Sequence, residues 1–186
     1  MGNTHGRMFA LTLFTPIRRR WHPVLAGAFR IAPVLPFAQR HILQFNFIKF
    51  VRWTIVPDLP YLGAPQEKEK LNYQYLLFES NFDGPWQHYI DAFAYCIPAD
   101  IRFCWGRGPD FPGPPPSEPL KAWIARNSME GGTYYCAYPW SSTRMVKSAI
   151  VIREQMKDLV ADAQRLGPEA FKARYEQFLT DCQAHF

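Results

Sequence analysis

Along residues 8–16, "MFALTLFTP", apolar side chains alternate with Thr and Ala until Pro16, and this period of two predicts a strand. From Arg18 to Arg40 the apolar positions Trp21, Val24, Leu25, Ala28, Phe29 and Ile31 suit a short helix, bounded by Pro23, Pro33 and Pro36. "FNFIKFVRWTIV", residues 45–56, is aromatic and β-branched on both faces, which predicts a second strand covered on both sides. A connection rich in Pro and charge follows, and "NYQYLLFES" resumes strand character. At Asp83 the period changes to 3.6, with Trp86, Tyr89, Ile90, Phe93 and Ile97 on one stripe. Asp83 is a suitable N-cap for that helix, Pro85 suits its first turn, and Pro98 closes it before "DIRFCWG" returns to strand.

"GRGPDFPGPPPSEP" reads as a stiff, irregular loop, after which Ser117 can cap a helix through "PLKAWIARN". "TYYCAYP" predicts a further strand. Residues 141–166 form an amphipathic helix with Met145, Ala149, Ile152, Met156, Leu159 and Ala163 on its apolar face. Gly167 ends it, Pro168 starts another helix, and Phe171, Tyr175, Phe178 and Cys182 make the buried stripe of the latter. The first six elements, β-α-β-β-α-β, match a split β-α-β unit, so the expected class is α+β with a ferredoxin-like antiparallel sheet over residues 8–105. A C-terminal extension of helix, strand and two helices over 117–186 completes one domain. The second sheet face also needs cover, which a barrel-like closure by a second copy or by the C-terminal elements provides.

Charge changes this picture at one end. Residues 1–57 contain eight basic residues and no carboxylate, while the remaining 13 basic residues face all 16 acidic ones. The net +5 is therefore an N-terminal property. The "MFALTLF" run precedes "RRR" rather than following it, Gly6 stands where an acylation signal wants Ser or Thr, and no Ser occurs before Ser80. Arg30, Pro33 and Pro36 break the longest apolar run, so a cytoplasmic protein, peripheral on the inner membrane face, is expected. Cys96, Cys104, Cys136 and Cys182 form no C-x-x-C pair and have no His at zinc-ligand spacing. Reduced, mostly buried thiols are the expectation, with a Cys96–Cys104 disulfide as the alternative, and no metal site.

Three groups of residues carry candidate chemistry. In "SNFDGPW" a strand meets a helix N-terminus, so Asn81, Asp83, Gly84 and the first-turn amides can floor an anion pocket; the competing reading is that Asp83 merely caps the helix. His88 and Asp91 have the spacing of a base and its orienter, or of a solvated pair. Arg52, mid-strand between aromatic residues, needs an acid or an anionic ligand, with Glu79 and Asp83 as the nearest carboxylates. Arg102, on the expected fourth strand, can join Arg52 in holding a carboxylate. Arg18, Arg19, Arg20 and Trp21 border an apolar, acid-free segment of the kind that lies on anionic lipid. No nucleic-acid motif accompanies the charge, and no nucleophile-elbow, phosphate-loop or dinucleotide motif occurs.

"NYQYLLFESNFDGPWQHYIDAF", "WGRGPDFPG", "KAWIARN" and "YYCAYP", with "FALTLFTPI" and "FVRWTIV", resemble a family of bacterial proteins carrying an "LLFxSNFDGxWxxYxDxF" signature. The resemblance spans roughly residues 8–155 and implies an α+β, ferredoxin-like fold without implying an activity. A more distant similarity is to the dye-decolourising haem peroxidases, whose G-x-x-D-G motif corresponds to "SNFDG", with Asp83 as the distal acid and Gly84 matching. That family ligates haem through a downstream His, whereas beyond His88 this chain has only His185. The leading expectation is a protein without predicted cofactor that binds an apolar or anionic ligand, a membrane surface or a partner, including a second copy. A haem-dependent oxidoreductase and a structural subunit of a larger assembly are the alternatives.

Overall fold

The computed structural model describes residues 3–35, 40, 42, 44–130 and 133–185. Positions 36–39, where the first predicted helix was to end, lie outside the described residues. The chain divides into two compact units, residues 1–139 and 140–186.

The first unit is built on a four-stranded antiparallel sheet in the order β1-β2-β4-β3, with β1 Thr4–His5, β2 Met8–Ile17, β3 Ile48–Val56 and β4 Gln74–Asp83. Among the described residues four α-helices accompany it: α1 His22–Ile31, α2 Trp86–Cys96, α3 Pro98–Trp105 and α4 Ser117–Asn127. Strict alternation in β2 and β4 buries Leu11, Leu13, Ile17, Leu76, Phe78 and Phe82 against these helices. Ala10, Thr12, Phe14, Leu77, Glu79 and Asn81 point to the other, half-exposed face.

Two polar residues on the core-facing side are each explained by a relay. Tyr89 of α2 donates its hydroxyl to Ser80 Oγ (2.8 Å), and Ser80 donates to the Phe50 carbonyl (3.1 Å), where the β3–β4 register slips at a bulge between Ile48 and Phe50. Trp105 of α3 donates its indole N–H to Thr15 Oγ1 (3.1 Å), and Thr15 donates to the Leu76 carbonyl (3.2 Å). Each relay ties a helix to two strands and leaves no hydroxyl stranded in the apolar layer. Burial pushes the Tyr89 hydroxyl above the ordinary tyrosine range, so it stays a donor. Around it Phe82 stacks at 3.8 Å and Phe93 tilts at 4.3 Å between ring centroids.

Several elements differ from expectation. "DIRFCWG" is helical, because Ile101, Cys104 and Trp105 share a buried helical face and Pro98 starts the helix. A seven-residue run fits both periods, and the Trp105–Thr15 bond is available only to the helix. "TYYCAYP" is not a strand: it is held by single bonds, from Cys136 N–H to His5 Nδ1 (3.1 Å) and from Arg7 N–H to the Pro139 carbonyl (2.8 Å). Asp83 ends β4 instead of capping α2, whose N-cap is Pro85, and Ser117 is the first residue of α4 with Pro116 at the cap. Gly84 takes φ +91° at the strand-to-helix turn, and Gly6 (φ +61°) turns so close to Pro139 that a Cβ would lie 2.6 Å from its carbonyl oxygen. The fold among the described residues is thus α+β, with an antiparallel sheet and six helices.

The second unit is a helical hairpin of α5 Thr143–Arg165 and α6 Pro168–Gln183. Ser142 caps α5 by accepting from Met145 N–H (3.1 Å). Gly167, expected to end α5, is the N-cap of α6. Leu159, Phe178 and Cys182 form the small core, with Ile152 and Phe171 packed on it.

Ser80→Ala is expected to lower stability by about 1–3 kcal/mol, because it leaves the buried Tyr89 hydroxyl without an acceptor. Tyr89→Phe, which removes the donor and keeps the ring, should cost about 1 kcal/mol or less. Urea denaturation of both variants checks this order.

Candidate functional site

The sequence-predicted residues separate into three places. Asp83 lies at the end of β4, its side chain 13% exposed, with Oδ1 3.7 Å from Lys49 Nζ. The Asp83 amide donates to the Phe47 carbonyl (2.8 Å) and the Gly84 amide to the Arg7 carbonyl (3.0 Å), so neither is turned toward an anion. Residues 133–136 close over this end of the sheet. Burial, then the neighbouring Cys136 and Asp83, raise the Tyr134 hydroxyl above its ordinary range. His5 Nδ1 accepts the Cys136 main-chain N–H and is therefore unavailable as a base for the Cys136 thiol. Asn81 lies on the half-exposed sheet face paired with Ala10 and Phe50. The expected anion pocket is a fastened strand end.

Arg52 is not buried. Its side chain is 61% exposed, and Nη1 stands 3.9 Å from Glu79 Oε2, directly across the β3–β4 ladder. That separation is beyond hydrogen-bond reach and the pair is solvated, so it binds the guanidinium weakly. Asp83, four residues beyond Glu79, is roughly 13 Å further along the strand. Arg52 and Asp83 therefore do not share a site. Arg102 is on α3 rather than a strand, on an exposed side of the helix near Gly113, and is not among the described residues that line a cleft with Arg52.

Of the basic run, Arg19 is engaged: it pairs with Asp58 (2.8 Å) and donates to the Leu71 carbonyl (3.2 and 2.9 Å). Trp21 has the Arg107 guanidinium over its ring at 4.4 Å. Arg18 and Arg20 are exposed. His88 is exposed as well, while Asp91 binds Lys121 (2.7 Å) and Ser117, an anchor of α4 on α2. All four cysteines are free thiols; Cys104 is buried, and burial followed by Asp100 pushes its pKa up to about 12.

What the sequence did not single out is a cleft of about 670 Å³ beside β3, the outer strand of the sheet. Phe29, Ile31, Leu35, Val51, Trp53 and Phe103 line it. Among the described lining residues, Arg52 and Asp100 are charged. Asp100 lies in the first turn of α3, where the helix dipole favours a carboxylate; Arg52 has only the distant Glu79. The helical period of residues 100–103 was the missed signal, since it places Asp100 and Phe103 on one side.

The distant haem similarity can be tested on these residues. The described cleft lining offers no His, Cys or Tyr as an iron ligand, and Asp83 is not in the cleft. Among the described residues no group of three His, Cys, Asp or Glu side chains is placed to hold a metal ion, and no helix is long and apolar enough to cross a membrane.

The fold and this geometry define an α+β protein with an apolar cleft open at a sheet edge. No family model, curated protein or solved structure matches the chain.

Lys121 and Ser117 hold the Asp91 carboxyl below the usual carboxylate range. A carboxyl depressed in the folded state stabilises above its unfolded pKa of about 3.9, and that stabilisation is lost as pH falls through the folded value. Asp91→Ala should therefore lower the urea midpoint at pH 7, and the gap to the parent protein should narrow below about pH 4.

Proposed function

We propose that the chain binds an elongated apolar molecule with an anionic head, its tail in the cleft beside β3 and its head at Arg52. The observation that carries this reading is the cleft itself: an apolar concavity of about 670 Å³ with Arg52 among its described lining residues, the exposed guanidinium of which is held only weakly by Glu79 on the adjoining half-exposed face. Binding sites for small molecules fall in the range of about 300–1,000 Å³ and combine apolar walls with few polar groups. Phe29, Val51, Trp53 and Phe103 supply dispersion and desolvation; Arg52 supplies a charge-assisted, bidentate contact to a carboxylate or phosphate. No reaction is assigned to the cleft.

The resemblance to the signature family and the ferredoxin-like reading belong to the same proposal. The order β2-β4-β3 and the passage of α1 between β2 and β3 support a split β-α-β unit. The position beside β2 that a fourth long strand would take holds the two-residue β1 and a bridge from Leu13 to Ser128.

Dodecanoate is a suitable probe. It should be retained in native mass spectrometry and should shift the emission of the parent protein but not that of Trp53→Phe. Arg52→Gln should weaken dodecanoate binding about tenfold or more, the loss of one charge-assisted contact, and should leave binding of dodecanol unchanged. Absence of dodecanoate retention and of an emission change would reject the proposal.

A further inference from the structure

The C-terminal hairpin has more apolar surface than its own core uses. Its helices run antiparallel, as Leu159 with Phe178, Arg174 Nε with Asp162 Oδ2 (3.0 Å) and Cys182 Sγ with Gln155 Oε1 (3.9 Å) place them. At about 100° per residue, the packed positions of α5, Ile152 and Leu159, lie some 70° round the helix from Ala149, Met156 and Val160. On α6 the packed Phe171, Phe178 and Cys182 lie about 60° from Tyr175 and Leu179, displaced in the same sense of rotation. In an antiparallel pair, equal senses of rotation bring both displaced sets to one side of the hairpin. That side is exposed: Met156 is 43% accessible, Val160 54%, Tyr175 44% and Leu179 45%.

A unit of this size with three buried core side chains has too little apolar burial to be stable alone, and a second layer of helices is the usual remedy. We infer that this face docks on the same face of a second copy of the chain, forming an antiparallel four-helix bundle. Charge selects the arrangement. The open side of α5 is bordered by Arg153 and Lys157, and that of α6 by Glu169 and Glu176, with Lys172 the exception. A two-fold axis along the hairpin sets α5 of one copy beside α6 of the other and brings Lys157 within about 6 Å, measured along the axis, of Glu176 of the second copy. An axis across the hairpin would set the basic borders against each other. In the single chain Lys157 binds Glu154 (2.9 Å) with both side chains more than half exposed, so it is free to be redirected.

The test is the mass of the full chain by light scattering after size exclusion, from low to high micromolar concentration. Twice the single-chain 21.6 kDa is expected for the parent. Val160→Glu should return a single-chain mass with the same cleft binding of dodecanoate, and helical circular dichroism should show that the hairpin persists. Lys157→Glu should weaken the dimer, and adding Glu176→Lys should restore it. A single-chain mass for the parent at every concentration overturns the inference, as does a dimer indifferent to Val160→Glu. Val160-dependent sedimentation with phosphatidylcholine vesicles at single-chain mass would assign the face to lipid and overturn it too. Cleft binding is read separately, so its failure leaves these outcomes distinct.

Discussion

The contact on which the first unit depends is the hydroxyl relay from Tyr89 through Ser80 to the Phe50 carbonyl. A phenol buried among Phe82, Phe93 and Phe47 supplies a large apolar surface and one obligatory donor. The donor must be satisfied, and the Ser80 hydroxyl does so. This requirement fixes the height of α2 on β4, and α2 in turn carries α4 through Asp91, Lys121 and Ser117. The second relay, Trp105 to Thr15 to Leu76, does the same for α3. Two relays and the Asp91 anchor thus set the position of three helices whose apolar packing alone would tolerate sliding.

Much of this was legible in the residues. The alternation of "MFALTLFTP" and "NYQYLLFES" led directly to β2 and β4, and the change of period after Asp83 to α2. Tyr89 lies on the buried stripe that the period of 3.6 predicted, and Asp91, which has the spacing of a base's orienter, binds Lys121 and Ser117 instead. Short runs were less legible. Ile101, Phe103 and Trp105 alternate as a strand would, and only the tertiary partner of Trp105 decides for the helix. "TYYCAYP" has strand composition, yet its described contacts are single bonds to His5 and Arg7 rather than a ladder.

The site was legible by type and not by partner. Arg52 was recognised as the unusual charge, yet the sequence placed it in a dry layer because its neighbours are aromatic. The bulge at Ile48/Phe50 and the outer position of β3 leave that layer open on one side, so the guanidinium reaches solvent while Val51 and Trp53 face the cleft. Long-range pairing order, which decides whether a strand is central or outermost, is not encoded in the local alternation of any one strand.

The bulge in β3 has a further consequence. An outer strand offers unpaired amides and carbonyls to any passing chain, and a flat one invites sheets to join edge to edge. Here the strand is kinked at its start, with Lys49 at the kink and Arg52 a short way along it. A neighbouring molecule would have to follow an irregular, positively charged border to extend the sheet. The irregularity that Ser80 fastens from inside therefore also works against edge-to-edge pairing at this strand.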